Sequence, residues 1–338
     1  MNRAKSNWAI GLLSVALVAG ACGSPTTSTL PLSSATPAPT SAVQTAIPSP
    51  SLGSTSLAPA TGSSASPLPS ATPTNGIPAF RHIYVIIMEN KEYSSIVGSK
   101  QAPYLNSLIA GYGLATNFYA ETHPSEPNYI ALTSGGLQGT DSDGYYNLSA
   151  PNLFDQIEAA GKTWHVYAQD YPGGCFAGSL YAGAADGPGA AGEYARKHNP
   201  AISYASIVHD PARCARITHL AGFDPAAADF EFIVPNQIND MHSSSVAAGD
   251  AFLKVFVPQI TESAAFTDSV IFITWDEGST SSNGGGRIAT LAISPGMTPG
   301  SRYSASASHY SLLRTIEEAW GMPYLGEAAQ AKSLAFPY

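Results

Sequence analysis

The sequence predicts an α/β fold: a three-layer αβα sandwich with a mainly parallel central sheet. Two observations predict it. Residues 81–88, 229–234 and 269–275 are short, almost uninterrupted apolar runs, which suit strands buried on both faces. Segments with helical spacing fall between such runs, and strands alternating with helices imply a parallel, doubly wound sheet. The stretch 77–338 has the size of one such domain, long enough for a substantial core.

Taken in order, the first strand covers 81–88 and stops at Glu89-Asn90. Leu105, Leu108 and Ile109 give residues 102–112 helical spacing, with Gly111 and Gly113 closing the helix. Residues 114–120 read as the next strand. The segment Thr122-His123-Pro124-Ser125-Glu126-Pro127-Asn128-Tyr129 then opens a helix that continues through Ile130-Ala131-Leu132. Ser125 has N-cap chemistry there, and Pro127 suits an opening turn that does not need its N–H. A helix spans 152–160, stopped by Gly161, and a strand spans 163–168. The strand at 229–234 ends at Pro235-Asn236. A longer helix covers 246–266, bent or broken at Pro258. The strand at 269–275 ends at Asp276-Glu277, another follows at 288–294, and a helix over 310–320 has Ser308 as its cap and Gly321 as its stop.

Ahead of the domain, residues 1–22 have the form of an export signal. Arg3 and Lys5 precede an apolar stretch, 8–18, too short to span a bilayer comfortably. The closing Ala19-Gly20-Ala21-Cys22 resembles a bacterial lipoprotein signal, in which the cysteine is lipidated; Ala19 stands where leucine is usual. A plain secretory signal is the alternative. Residues 23–76 are Ser, Thr, Pro and Ala without a charged side chain, a composition that cannot offset its ordering entropy. They are expected to form a disordered tether with a reach of about 40 Å. The chain is thus expected to be exported, and either lipid-anchored at the outer face of the cell membrane or secreted.

The chain carries 15 basic and 24 acidic residues. That balance argues against nucleic acid as a partner and against electrostatic adhesion to anionic lipid, leaving the N-terminal lipid as the membrane contact. A monomer is expected. Cys175 and Cys214 are a candidate disulfide, with two free thiols as the alternative.

Ligands of such sheets bind beyond the carboxyl ends of the strands. There the sequence places Glu89-Asn90, the stretch from Asn236 to His242, and Asp276-Glu277, with the Ser125 helix following a strand as well. Carboxylate and amide oxygens suit a hard divalent cation, and histidine extends the range to transition metals. A metal beside a serine oxygen would lower its pKa and neutralise phosphoryl charge. Taken singly, each element has a plainer reading: polar loop residues for the acidic pairs, turn and cap residues for Asp240 and His242, a helix start for His309, packing for His123 and an ordinary cap for Ser125.

Six segments in order resemble one family. They are Val85-Ile86-Ile87-Met88-Glu89-Asn90; Glu121-Thr122-His123-Pro124-Ser125-Glu126-Pro127-Asn128-Tyr129; Tyr194-Ala195-Arg196-Lys197-His198; Val234-Pro235-Asn236 with Asn239-Asp240-Met241-His242; Thr274-Trp275-Asp276-Glu277; and Ser308-His309-Tyr310. They resemble the phosphoesterases that join bacterial acid phosphatases and phospholipases C within the alkaline-phosphatase-like superfamily. The likeness is greatest to the mycobacterial type of secreted acid phosphatase, which acts on phosphatidylinositol 3-phosphate. The resemblance implies a phosphomonoester substrate, including a phosphoinositide, and Ser125 as a nucleophile that becomes phosphorylated. It implies a divalent metal ion of open identity held by Glu89, Asn90, Ser125, Asp276 and Glu277. Asp240, His242 and His309 fall where relatives place a second metal, or the groups that hold phosphate and protonate the leaving oxygen. His123, Lys197 and His198 are further phosphate-site candidates; a solvated helix face is the alternative for Arg196-Lys197-His198. Neutral Asn90 favours a single tightly held metal.

Competing readings lack residues. A sulfatase needs an arginine where Tyr129 stands, a serine esterase of the α/β-hydrolase kind needs G-x-S-x-G, and a P-loop needs glycine at Gln156. Phospholipases C of the family usually carry extra C-terminal β domains, and residues after the His309 helix are few. A lipid-anchored binding protein that has lost its chemistry would have lost the nucleophile or the carboxylates.

Overall fold

A computed structural model describes residues 76–180 and 192–338. The expected export signal, Cys22 and nearly all of the tether lie outside the described residues. Strand β1 (His82–Met88) is buried along its whole length, as are β5 (Phe230–Val234) and β6 (Ser269–Trp275). Total burial of consecutive residues requires cover on both faces of the sheet, because neighbouring side chains point in opposite directions. Helices α2 (Pro103–Gly111) and α7 (Val246–Thr261) pack together. So do α3 (Ser125–Ser134), α4 (Leu153–Ala159) and α8 (His309–Ala319).

The remaining strands are β2 (Gly113–Tyr119), β3 (Trp164–Ala168), β4 (Ile217–His219), β7 (Arg287–Ile293), β8 (Arg302–Tyr303) and β9 (Ala307–Ser308). Their order is β4-β3-β5-β1-β6-β7-β2-β8, with β9 also pairing with β2. All pairings are parallel except the two made by β7. The expectation of a mainly parallel sheet therefore holds with one reversed strand. The reason is the short link between β6 and β7, residues 276–286. A parallel return needs a crossover of about a dozen residues or more, usually helical, whereas a loop suffices for an antiparallel one.

Sequence and structure differ elsewhere in instructive ways. Four-residue helices α1 (Tyr93–Ile96), α5 (Ala205–Val208) and α6 (Pro211–Cys214), and strands β4, β8 and β9, are too short to leave a periodic signal. Helix α7 is not broken at Pro258. It continues to Thr261, and a separate 3₁₀ turn, Ala264–Asp268, takes the rest of the expected span. Three punctuation marks sit where expected. Asn152 caps α4 by accepting the Asp155 amide at 3.1 Å, Gly161 follows with φ +72°, and Gly321 follows α8 with φ +62°. Ser308 is the N-cap of α8, with its backbone N–H donated to Ser311 Oγ at 3.2 Å. Cys175 and Cys214 are joined by a disulfide with Cα atoms 5.5 Å apart.

Candidate active site

Three neighbouring strands end at one place. β1 delivers Glu89 and Asn90, β6 delivers Asp276 and Glu277, and the chain leaving β5 delivers Asp240 and His242. Backbone bonds lock these ends together. The Asp276 amide donates to the Met88 carbonyl at 2.9 Å, the Glu89 amide to the Asp240 carbonyl at 2.8 Å, and the Asn90 amide to Asp276 Oδ1 at 3.0 Å. Asn90 has φ +48°, a conformation asparagine tolerates better than most residues. Met241, between Asp240 and His242, is buried at φ +85°, where a methionine is strained, and its side chain lies over Gly249, which leaves no space for a Cβ. Its carbonyl accepts from Lys91 Nζ at 2.7 Å.

Ser125 reaches this edge from the other side, as the first residue of α3. The expected N-cap role is corrected here. Pro124 holds the cap position, and no side chain caps the helix. The Ser125 hydroxyl is instead directed at two carboxylates, Glu89 Oε2 at 3.2 Å and Glu277 Oε1 at 3.4 Å. Its lead-in segment is pressed by the loop after β6: a Cβ on Gly284 or Gly285 would collide with the carbonyl of Glu121 or Thr122.

The surrounding groups form two shells of contacts. Glu89 accepts a short hydrogen bond from the Tyr129 hydroxyl and a 3.5 Å bond from Asn90 Nδ2. His198 stacks on Tyr129, its Nε2 3.1 Å from Glu89 Oε2 and its Nδ1 3.3 Å from Asp240 Oδ2. The other Asp240 oxygen accepts the His242 amide at 2.6 Å, and the His242 ring lies 5.9 Å from that of His198. At the rim, His123 Nδ1 pairs with Glu277 Oε2 at 2.6 Å while its Nε2 donates to the Thr280 carbonyl at 3.0 Å. His309 lies behind the carboxylates and donates from Nε2 to the Asp276 carbonyl at 2.7 Å.

Burial sets the electrostatics. It pushes Glu89 up to about 8, against the opposing influence of Lys197 and Tyr129. Asp276 is raised well above the carboxylate range by burial and then by Glu89. Burial and the Asp276 charge lift Glu277 to about 7, with His123 opposing; burial lifts Asp240 to about 6, with His198 opposing. The buried imidazoles respond in the opposite sense. His309 falls to about 4 through burial, His242 to about 4 through burial and His198, and His198 is lowered by burial. His123 ends raised, because the Thr280 carbonyl and Glu277 outweigh burial.

Four carboxylates crowded out of water are a set of donors short of positive charge. Asp276 Oδ2 and His309 Nδ1 are buried without a hydrogen bond, whereas Asp240 Oδ2 faces His198 Nδ1 at 3.3 Å. Hard oxygen donors with such uncommitted atoms fit a divalent cation. The fit is one of donor chemistry: among the described residues no trio of His, Cys, Asp or Glu stands ready-made as a metal cluster.

The structure therefore brings together Glu89, Asn90, Ser125, Asp240, Asp276 and Glu277 with His198, and sets His123, His242 and His309 around them. The solvated-face alternative for Arg196-Lys197-His198 fails, since Arg196 and His198 are buried in a 3₁₀ turn. Arg196 pairs with Glu126 at 2.9 Å and Lys197 with Asp143 at 2.8 Å. Sequence reasoning missed Tyr129 and Asp143. Tyr129 had a signal: four residues after Ser125 on one helix, it shares its face. Asp143 had none.

Known proteins resemble this chain in sequence and in fold. Residues 99–323 match the Phosphoesterase family, a span that begins shortly after Glu89-Asn90. A phosphatidylinositol-3-phosphatase from Mycobacterium tuberculosis is 34% identical, covering 76% of this chain and 82% of that protein. A probable acid phosphatase from Kluyveromyces lactis and an acid phosphatase from Aspergillus fumigatus are each 29% identical over 73% of this chain, which spans 60% and 56% of their lengths. In fold, a Vibrio parahaemolyticus protein of the alkaline phosphatase superfamily superposes with a TM-score of 0.51 at 12% identity, over 77% of this chain and 70% of that one. The chain belongs to the Phosphoesterase family.

Proposed function

We propose that this chain is an exported, metal-dependent phosphomonoesterase of the acid-phosphatase kind that works through a phosphoserine on Ser125. The observation that carries the reading is the Ser125 hydroxyl, uncapped at a helix start and directed at carboxylates from two strand ends. Helix N-termini present free N–H groups and positive partial charge to an anion, so phosphoryl oxygens are favoured beside that hydroxyl. Glu89, Asn90, Asp276 and Glu277 would hold a divalent ion with Ser125. Bound there, the ion would supply Lewis acidity, easing loss of the Ser125 proton and neutralising phosphoryl charge.

The chain's own groups do the rest. Acting as the ionised carboxylate that a bound cation would favour, Glu89 takes the Ser125 proton at Oε2 while Ser125 Oγ forms the Oγ–P bond and the bond from phosphorus to the leaving oxygen breaks. The leaving oxygen takes a proton from His242, which is half-buried and carries that proton in acid, since burial and His198 hold it down to about 4. Water then attacks phosphorus, returning a proton to His242, while Oγ leaves and recovers its proton from Glu89. Lys197 grips a phosphoryl oxygen, His198 stands between Glu89 and Asp240 and orients them, and Asp240 positions His242 through its amide. His309 steadies the strand end that carries Asp276 and Glu277.

Release of phosphate from p-nitrophenyl phosphate, before and after chelation, tests this reading. Ser125→Ala is expected to lower turnover by at least about 10³-fold, and chelation to abolish it until a divalent cation is restored. Full activity in Ser125→Ala would remove the nucleophile assignment. Choline phosphodiesters cleaved faster than monoesters would make the protein a phospholipase C instead. The mycobacterial relative's name points to a phosphoinositide headgroup as the first natural substrate to assay. Export rests on residues 1–22, and lipidation on Cys22; fatty-acid labelling that survives in Cys22→Ser would overturn the anchor.

A further inference from the structure

The loop between α3 and α4 places an exposed carboxylate, Asp143, beside the first turn of the Ser125 helix. Asp143 Oδ1 accepts the backbone N–H of Glu126, the residue after the nucleophile, at 3.1 Å, and Asp143 Oδ2 accepts from Lys197 Nζ at 2.8 Å. One carboxylate thus bridges the first turn of the Ser125 helix and the lysine. It is anchored from behind. The Gly144 amide donates to Glu126 Oε2 at 2.8 Å, and Arg196 Nη1 donates to Glu126 Oε1 at 2.9 Å and to the Gly144 carbonyl at 2.7 Å. Arg196 Nη2 reaches the Tyr146 carbonyl at 3.0 Å. Both ends of the bridge are therefore tied to one buried ion pair, Glu126–Arg196, whose arginine precedes Lys197 in the chain.

Both charges of the bridge act on the site. Lys197 lowers the pKa of Glu89, His198 and His242, and Asp143 raises that of Glu277, His198 and His242. Lysine is a flexible point charge, and leaving it unheld would cost a substrate rotamer entropy on binding.

We propose that Asp143 is a positioning residue that clamps the Lys197 ammonium to the Glu126 amide, so that the ammonium meets phosphoryl oxygens beside Ser125. The proposal rests on the phosphomonoesterase reading and extends it to the residue that orients the phosphate grip. Asp143 makes no bond to phosphorus or to the reacting oxygens.

Asp143→Asn isolates the clamp, because the amide oxygen still accepts from Glu126 while its NH₂ cannot accept from Lys197. The measurements are kcat and KM for p-nitrophenyl phosphate, the affinity for inorganic phosphate by calorimetry, and the melting temperature. KM and the phosphate dissociation constant are expected to rise on the order of tenfold, the loss of one charge-assisted contact, with kcat within about threefold. Asp143→Asn added to Lys197→Met should change nothing further. Unchanged phosphate affinity in Asp143→Asn, or additive effects in the double variant, would overturn the clamp. Asp143→Ser, which also keeps an oxygen for the Glu126 amide, replaces Asp143→Asn if that protein melts early. A wild type with no Ser125-dependent turnover would sink the phosphomonoesterase reading instead, and the phosphate affinities would still judge the clamp.

Discussion

Two fully buried glutamates, Glu89 beyond the end of β1 and Glu231 near the start of neighbouring β5, share an environment and differ in company. Burial pushes each up to about 8. Around Glu89 stand Ser125, Tyr129, Asn90 and His198 within 3.5 Å. Among the described residues, Glu231 meets backbone amides alone, that of Ala228 at 3.4 Å and that of Ala227, and its Oε2 makes no hydrogen bond within the usual distance. A perturbed carboxyl therefore does not by itself mark a site. Convergence of nucleophile, acids and imidazoles at the carboxyl edge of the sheet does, and Glu231 lies toward the opposite end.

The largest expected separation between the two is in activity. Glu89→Gln keeps the shape but puts an NH₂ donor where one accepting oxygen stood, and removes the acceptor for the Ser125 proton. Phosphate release should fall by at least about 10²-fold, while the chelator-treated protein melts close to wild type near neutral pH, because without a cation Glu89 already holds a proton up to about 8. Glu231→Gln should leave kcat within about twofold of wild type. Equal activity losses in the two variants would show that they share a structural role and would erase the contrast.

A third buried glutamate sharpens it. Glu126 is also raised by burial, yet Arg196 lies 2.9 Å away and opposes the shift. Arg196→Met would strand that carboxylate, and breaking a buried pair from one side costs about 3 to 5 kcal/mol. Denaturant unfolding should register that loss at neutral pH. A change near zero would mean that the carboxylate takes up a proton at little cost, as Glu231 does.

How much of this was legible in the chain depends on the range over which each feature is decided. β1, β5 and β6 are written in local apolar runs, and the interruptions at Glu89-Asn90 and Asp276-Glu277 announce the site because polar residues directly follow buried strands. The reversal of β7 was also within reach, since the link before it is too short for a helical crossover. The aim of the Ser125 hydroxyl was not. Ser125 matches cap composition, and only the seating of Pro124 one residue earlier frees the side chain. Asp143 meets Lys197 across 54 positions through packing around Glu126 and Arg196, a pairing that no local pattern encodes.

The smallest expected effect tests the isolated partner of the comparison. The sign follows from the raised folded-state value. An unfolded glutamate titrates near 4.3, whereas Glu231 in the fold holds its proton up to about 8. Between those values the folded state binds the extra proton, so this residue's contribution to stability is full at low pH and declines as pH rises. Asp224 adds to the penalty on the charged form, and the Ala228 and Ala227 amides offset part of it. Glutamine mimics the protonated acid at every pH. Glu231→Gln and wild type should therefore melt together below about pH 4 and separate progressively toward pH 8. The variant should be the more stable by a few kcal/mol at most, since a tenfold difference in proton affinity between folded and unfolded states is worth about 1.4 kcal/mol. Other raised acids, Glu317 among them, are common to both proteins and cancel in the difference. A gap between the two melting curves that stays constant from pH 5 to pH 8 would mean that Glu231 is ionised in the fold, and that a cation or a rearranged backbone amide meets it there as the nucleophile's surroundings meet Glu89.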